Sequence, residues 1–380
     1  MTESNKRAGS AARIVKRVLL AVAGVVAVVC LVGGIAAFVL FGNELKTLGT
    51  IEKIDEYPLY TMDYTGDYGL DEFLEQGGAS NDGQLIDFVV SRMLKGLPIE
   101  IELPNLACST FNATTPEGDA IFGRNFDLEY SPGMMVRTDP EDGYASLSMV
   151  NLGFLGYGEG KLPVDFASSI VSLAAPFAPL DGVNEKGLAV GVLLIDTEAT
   201  NQQTDRVDIT TTTAIRLMLD RCATVDEALE LLKSYDMHAS GGRCYHFQIA
   251  DASGKSVVVE YIDNKMSILE SDDATTVGAP AEGTSYMAAT NFLLTPGEYD
   301  FGSGQDRHAT VMSALDAAQG VMDEQQAMDT LKGVSREVQI KDNGEVFQTQ
   351  WSVVYNLEKA TAKICMGGKY GEVHELAVAE

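Results

Sequence analysis

Hydrophobic and polar positions follow different rules in successive stretches of the chain. From Val18 to Gly42 there is no period at all, because the run is apolar throughout and carries no charge. A bilayer-spanning helix needs about 20 such residues, so residues 18–42 are expected to form one transmembrane helix. Residues 43–107 then read as a mixed leader, with an aromatic-acidic stretch from Tyr57 to Phe73 and a small-polar patch from Gly77 to Gly83. Within it Leu85, Ile86, Val89, Val90 and Met93 recur at helical spacing and predict a helix over 84–95. Pro98 and Pro104 break regular structure just before Cys108.

After Cys108 the pattern becomes strand-rich. Cys108–Ala113 and Ala120–Phe126 flank Thr-Pro-Glu-Gly and read as a hairpin. Further strands are predicted over 145–158, 187–196, 244–250, 256–262 and 265–269, with a closing hairpin of 350–356 and 361–366. Helical spacing marks 213–235, 309–318 and 324–333. Blocks of strands and blocks of helices, without strict alternation, argue against a doubly wound parallel sheet and for a layered α+β domain over 108–380.

Charge adds an orientation. The 380 residues carry a net charge of −28, with 46% hydrophobic and 8% aromatic residues, enough for a full core. Lys6, Arg7, Arg13, Lys16 and Arg17 precede the apolar run, so residues 1–17 are a basic cytoplasmic tail and the remainder lies outside. A cleaved secretion signal is the rival reading, but such apolar cores are usually shorter and end at small residues. The strongly acidic remainder excludes nucleic acid as the main partner. The expectation is therefore a single-pass protein of the cell membrane with an extracytoplasmic domain.

Candidate chemistry is sparse. There is no GxSxG elbow, P-loop, HExxH or strand-linked GxGxxG. The four histidines show no metal-ligand spacing, and the five cysteines form no CxxC pair, so neither a metal nor another cofactor is expected. One disulfide among Cys222, Cys244 and Cys365 stays open. One constellation remains: Cys108, and the run Gly123-Arg-Asn-Phe-Asp127. A hairpin turn near Glu117 and Gly118 sets Cys108 opposite about residue 127 and brings Arg124, Asn125 and Asp127 beside the sulfur. A guanidinium favours the thiolate. If the Ala107–Cys108 bond is cut, the new α-amine, with a reference pKa of about 7.7–8.0, can serve as the base that no histidine supplies. The same residues also describe an unreactive buried cysteine in a hairpin held by an Arg–Asp salt bridge.

Cys108 followed by GRNFD at this spacing resembles choloylglycine hydrolases and penicillin V acylases, and their relatives acid ceramidase and N-acylethanolamine acid amidase. Asp181-Gly-Val-Asn-Glu-Lys-Gly-Leu188, Ala289-Thr-Asn291 and Gln305-Asp-Arg307 follow in the family's order, so the resemblance covers about 105–370. It implies a four-layer αββα N-terminal nucleophile hydrolase sandwich that hydrolyses linear amides. Cys108 would supply nucleophile and amine. Arg124 and Asp127 would position them, and Asn291 would donate to the developing oxyanion. Arg307 would support the pocket and the self-cleavage, whereas Asn184 fixes a turn. Two departures stand out. Bile-salt hydrolases carry an asparagine at the position of Leu194, and they lack a leader of 107 residues. The leader is more similar to that of the self-cleaving amidases, and it implies that residues 43–107 stay bound to the catalytic chain. The substrate is expected to be a small N-acyl amide, with Met134–Val136, Leu152–Leu155 and Phe292–Leu294 as candidate walls of an acyl pocket. Bile-salt or penicillin V hydrolysis, acyl transfer and an inactive surface module are the alternatives, and a homo-oligomer is compatible with all of them.

Overall fold

The computed structural model describes residues 41–96, 107–271, 285–340 and 346–379. The apolar run up to residue 40 lies outside them, and no helix among the described residues is long and apolar enough to cross a membrane.

In chain order the strands are β1 (Glu52–Asp55), β2 (Leu59–Tyr64), β3 (Ala107–Thr114), β4 (Ala120–Glu129), β5 (Gly133–Thr138), β6 (Ser146–Asn151), β7 (Pro179–Asn184), β8 (Ala189–Ile195) and β9 (Val207–Thr210). They continue with β10 (Tyr235–His238), β11 (Cys244–Ala250), β12 (Ser256–Ile262), β13 (Lys265–Glu270), β14 (Ala288–Ala289), β15 (Gln339–Ile340), β16 (Val346–Asn356), β17 (Thr361–Met366) and β18 (His374–Ala377). One sheet has nine strands in the order β1-β2-β5-β6-β7-β8-β11-β12-β13. The other has seven, in the order β14-β3-β4-β16-β17-β18 with β15 on β16. A parallel pair, β9 and β10, stands apart.

The sheets face each other, with β3 against β8 and β11. Helix Thr211–Arg221 covers β7 and β8 on one outer face. Helices Gln305–Ala317 and Glu324–Gly333 cover β3, β4, β14 and β16 on the other. This is the expected four-layer αββα sandwich. Its core is reached from both sheets, by Phe122, Phe126, Trp351 and Tyr355 from one and Met149, Val190, Val192 and Phe247 from the other.

Three local expectations differ. The apolar period over 213–235 splits into helices Thr211–Arg221 and Val225–Lys233, followed by β10. Thr224 accepts from the Glu227 backbone N–H at the second start, and this Thr-x-x-Glu spacing is a start signal within the period. The strand expected over 145–158 ends at Asn151, whose side chain caps the tight turn Leu152–Leu155. The leader helix runs Asp82–Arg92, but β1 and β2, which local sequence hid, extend the large sheet ahead of it. β2 pairs in parallel with β5, from Leu59 against Gly133 to Tyr64 against Thr138.

Cys108, Cys222, Cys244 and Cys365 are all buried and free, so no disulfide forms among the described residues. Cys30 lies outside them.

Candidate active site

The β3–β4 hairpin closes through Thr115 N–H to the Asp119 carbonyl at 2.7 Å, with Gly118 at φ 102° in the left-handed region that glycine adopts most readily. This register sets Cys108 opposite Phe126 and Ala107 opposite Asp127, one residue from the expected pairing. In a β pair, directly opposed residues point to the same face and successive residues to opposite faces. Cys108 and Arg124 therefore enter the space between the sheets. Asn125 and Asp127 face the helices instead. Asn125 and Asp127 are thus not beside the sulfur: the Asn125 amide donates to the Leu331 carbonyl at 2.8 Å and accepts from Ser352 at 2.6 Å.

The Cys108 sulfur is fully buried and lies 3.6 Å from Arg124 Nη2. Arg124 is held from the opposite sheet. Its Nη1 donates to the Val192 carbonyl at 2.6 Å, and its Nε lies 2.6 Å from Asp181 Oδ2. Gly191 leaves room for this guanidinium, since a Cβ there would stand 3.1 Å from Nη1. Asp181 also accepts from the indole of Trp351 at 3.2 Å and from the Tyr355 hydroxyl. Trp351, the one tryptophan, stacks on Phe126 with ring centroids 3.9 Å apart.

On the helix face, Asp127 accepts from Thr349 at 2.6 Å and lies 3.3 Å from Arg307 Nη1. One extra residue in β16, Gln350, makes this arrangement fit. Thr349 pairs with Asp127 and Trp351 with Phe126, so the bulge turns two side chains that would share a face to opposite ones.

The backbone of Cys108 is gripped at both ends. Its N–H donates to Asn291 Oδ1 at 2.8 Å, and its carbonyl accepts from Arg307 Nη1 at 2.7 Å. Arg307 Nη2 also donates to Asn291 Oδ1, at 2.8 Å. Two donors on one atom fix the orientation of the Asn291 amide. Its Nδ2 then donates to the Leu194 carbonyl at 2.9 Å, which leaves its second hydrogen free. The five expected residues therefore form one connected cluster, with Arg124 at the Cys108 sulfur, Asn291 and Arg307 on its backbone, and Asp127 joined to it through Arg307.

Burial pushes the Cys108 thiol up to about 11, against the pull of Arg124. The thiol is therefore protonated near neutral pH while the chain is intact. No histidine among the described residues hydrogen-bonds to any of the five. His238, His246 and His374 pair with Asp208, Glu260 and Asp55. No cluster among the described residues could hold a metal ion. Asn184 does fix a turn: its side chain accepts from the Lys186 and Leu188 N–H groups and donates to Leu219 and Cys222.

Sequence reasoning passed over Asp181 and Thr349. Asp181 stands in the segment that carries the resemblance, directly before the strand glycine Gly182, and only the contact between the two sheets shows that it holds Arg124. Thr349 has no local signal, because the bulge that aims it is a property of strand pairing. Most of the proposed pocket walls are packed: Met134, Met135, Val136, Leu152, Phe154 and Leu155 are core residues, whereas Leu293 borders a cavity.

Residues 114–370 match the family model described as acyl-coenzyme A:6-aminopenicillanic acid acyl-transferase. That span holds Arg124, Asp127, Asn291 and Arg307, and Cys108 lies just before it. The chain is 35% identical over 99 residues to a penicillin V acylase of Pectobacterium atrosepticum, a match covering 23% of this chain and 26% of that protein. It is 26% identical over 182 residues to a bile salt hydrolase/transferase of Clostridium perfringens, covering 46% of this chain and 54% of that one. These curated relatives are thus matched over a quarter to a half of their length. The fold is shared with a crystal structure of a conjugated bile acid hydrolase mutant from Clostridium perfringens, with TM-score 0.51, 18% identity, and coverage of 71% of this chain and 92% of that one. The chain belongs to the acyl-coenzyme A:6-aminopenicillanic acid acyl-transferase family, among relatives of the penicillin V acylases and choloylglycine hydrolases.

Proposed function

We propose that this protein is an amide hydrolase whose nucleophile is Cys108, exposed as a new N-terminus by cleavage of the Ala107–Cys108 bond. One observation carries the reading: a buried arginine contacts the sulfur while Asn291 and Arg307 grip the nitrogen and carbonyl of the same residue. A purely structural cysteine needs none of these. Once the bond is cut, Asn291 Oδ1 is placed to hold the free amine, and that amine takes the thiol proton. The sulfur then attacks the substrate carbonyl, and a thioester forms as the amine half leaves with the proton that the α-ammonium returns to it. The free hydrogen on Asn291 Nδ2 serves the oxyanion, an interaction whose loss costs roughly 3–4 kcal/mol in comparable sites. Water resolves the thioester, with the α-amine now acting as base.

Acyl transfer to an amine in place of water is the second reading, favoured by the transferase in the family's description and in that of the Clostridium relative. Residues 18–42 would tether the enzyme, with the catalytic domain outside the cell membrane.

N-terminal sequencing and intact mass of the purified protein test the mechanism. A fragment beginning at Cys108 is expected, and Cys108→Ala should remove both the cleavage and the activity. Full activity from an uncut chain overturns the proposal. Adding free amines and identifying the products separates hydrolysis from transfer.

A further inference from the structure

Exposed apolar side chains are not spread evenly over the described residues. Of the seven that are large and exposed, four belong to two short segments: Phe41 and Leu45 of the leader, and Val164 and Phe166 of the catalytic chain. Clustered exposure of this kind marks an interaction surface, whereas scattered single residues do not. Phe41, Leu45 and Phe166 line one groove of about 310 Å³, whose lining continues through Met93, Ile170 and Leu173. Eight of its ten lining residues are apolar, and the other two, Glu44 and Lys95, stand 3.7 Å apart and neutralise each other. The groove therefore offers an occupant apolar surface and no net charge.

Its place in the chain names the occupant. Phe41 is the last but one residue of the apolar run 18–42, and residues 41–48 are helical, so Phe41, Leu45 and Leu48 share one face. A helix rises 1.5 Å per residue, which puts Leu45 about 6 Å beyond Phe41. The headgroup layer of one leaflet is about 5–8 Å thick. A run that crosses the hydrocarbon as far as Phe41 thus leaves Leu45 within that layer, and it brings Phe166, which shares the groove, to the same depth. Apolar faces at an interface enter it by about 5–10 Å. Asp165, between Val164 and Phe166, caps the Ser168 N–H at 2.9 Å. Its charge restricts this segment to the headgroup layer and keeps it out of hydrocarbon.

We infer that this groove, with Val164 beside it, rests in the headgroup layer of a bilayer, with lipid as its occupant. The inference rests on the reading of residues 18–42 as a membrane anchor. A tether alone leaves the domain free to turn, whereas this second contact sets which face meets the membrane. The surface also crosses the cut. Phe41, Leu45 and Met93 lie before Cys108, and Phe166, Ile170 and Leu173 lie after it, so both fragments keep a direct hold on lipid.

Full-length protein reconstituted in phosphatidylcholine vesicles tests it. Trp351 is buried and is the one native tryptophan, so its emission is a constant background. Phe166→Trp adds a reporter at the groove, and Val164→Trp adds a second on the same segment should the first disturb the fold. Ile340→Trp is the control, because it is exposed on β15, which pairs with β16 of the other sheet. Flotation of the vesicles is scored first, and then quenching by lipids that carry a nitroxide on the headgroup. The protein should float, and the added emission should be lost at 166 and kept at 340. Replacing part of the lipid with anionic phosphatidylglycerol should not increase the loss, since the contact is apolar and the chain carries −28. Floating protein that is unquenched at 166, quenched alike at both positions, or quenched only with anionic lipid overturns the inference and leaves the anchor standing. In the unquenched case, emission at 166 that shifts with protein density identifies a second copy as the occupant instead. Protein that does not float refutes the anchor at 18–42 and this docking with it, and leaves the amidase reading of Cys108 untouched.

Discussion

At the residue scale, each charged group of the site depends on a partner from elsewhere in the chain. Arg124 is fully buried and is neutralised from the facing sheet by Asp181. Removing one partner of a buried pair leaves an uncompensated charge, which costs about 3–5 kcal/mol. Asp181→Asn should therefore lower unfolding stability by about that amount in denaturant titration. It should also slow appearance of the Cys108 fragment, since the guanidinium no longer has a fixed position. Unchanged stability would show that the Val192 carbonyl alone suffices to hold Arg124. Cys108 and its arginine were legible in the sequence because a tight hairpin turns sequence separation into contact. Asp181 was not, because nothing local says which sheet it will face.

At the element scale, the loop after β14 presents Asn291, and two buried side chains clamp it. His246 Nε2 lies 2.6 Å from the Thr290 carbonyl. Glu260 accepts from the Leu294 N–H at 2.7 Å and the Thr295 N–H at 3.0 Å. Burial pushes the Glu260 carboxyl up, but His246 and these amides outweigh it and hold the group below its ordinary value. The clamp is therefore complete above about pH 4.3 and is lost as pH falls through the depressed value of the folded state. Hydrogen exchange should find the Leu294 and Thr295 amides protected near pH 6 and released near pH 3. In Glu260→Gln the protection should be weak at both, and equal protection in variant and wild type would refute the clamp. Gly304 makes a similar demand at the start of helix Gln305–Ala317. Its φ is +89°, and a Cβ there would stand 2.6 Å from Arg307 Nη2. Gly304→Ala should therefore displace Arg307 and reduce Cys108 cleavage more than a surface substitution does, as followed by fragment yield over time.

At the scale of the whole molecule, residues 43–96 are part of the sandwich. Leu59, Tyr60 and Met62 of β2 are buried against the large sheet, and Phe73 and Phe88 pack on Phe177 with centroids 5.7 and 5.6 Å away. Tyr57 donates to Gln350 at 2.8 Å, and Asp82 accepts from the Gly241 N–H at 2.7 Å. A cut at Ala107–Cys108 breaks none of these. The two fragments should therefore co-elute in native size-exclusion chromatography and separate only in denaturant. Loss of the smaller fragment without denaturant would show that β2 is held only through the intact chain.

The sequence by itself determined the elements with strong local periods. β11, β12, β17 and helix Glu324–Gly333 fall where their patterns end, and the β3–β4 hairpin places Cys108 near Arg124 to within one residue of register. These features depend on neighbours a few residues apart, so pattern and turn chemistry suffice. It also marked Asn291 and Arg307 as members of the site, through resemblance and not through geometry. Tertiary structure alone decided the rest. It put Asn125 on the helix face, gave Asp181 to Arg124, aimed Thr349 through a bulge, and made the leader an edge of the large sheet. Each of these depends on which strand lies beside or across from which, a choice made by burial over the whole core. No short window of sequence contains it.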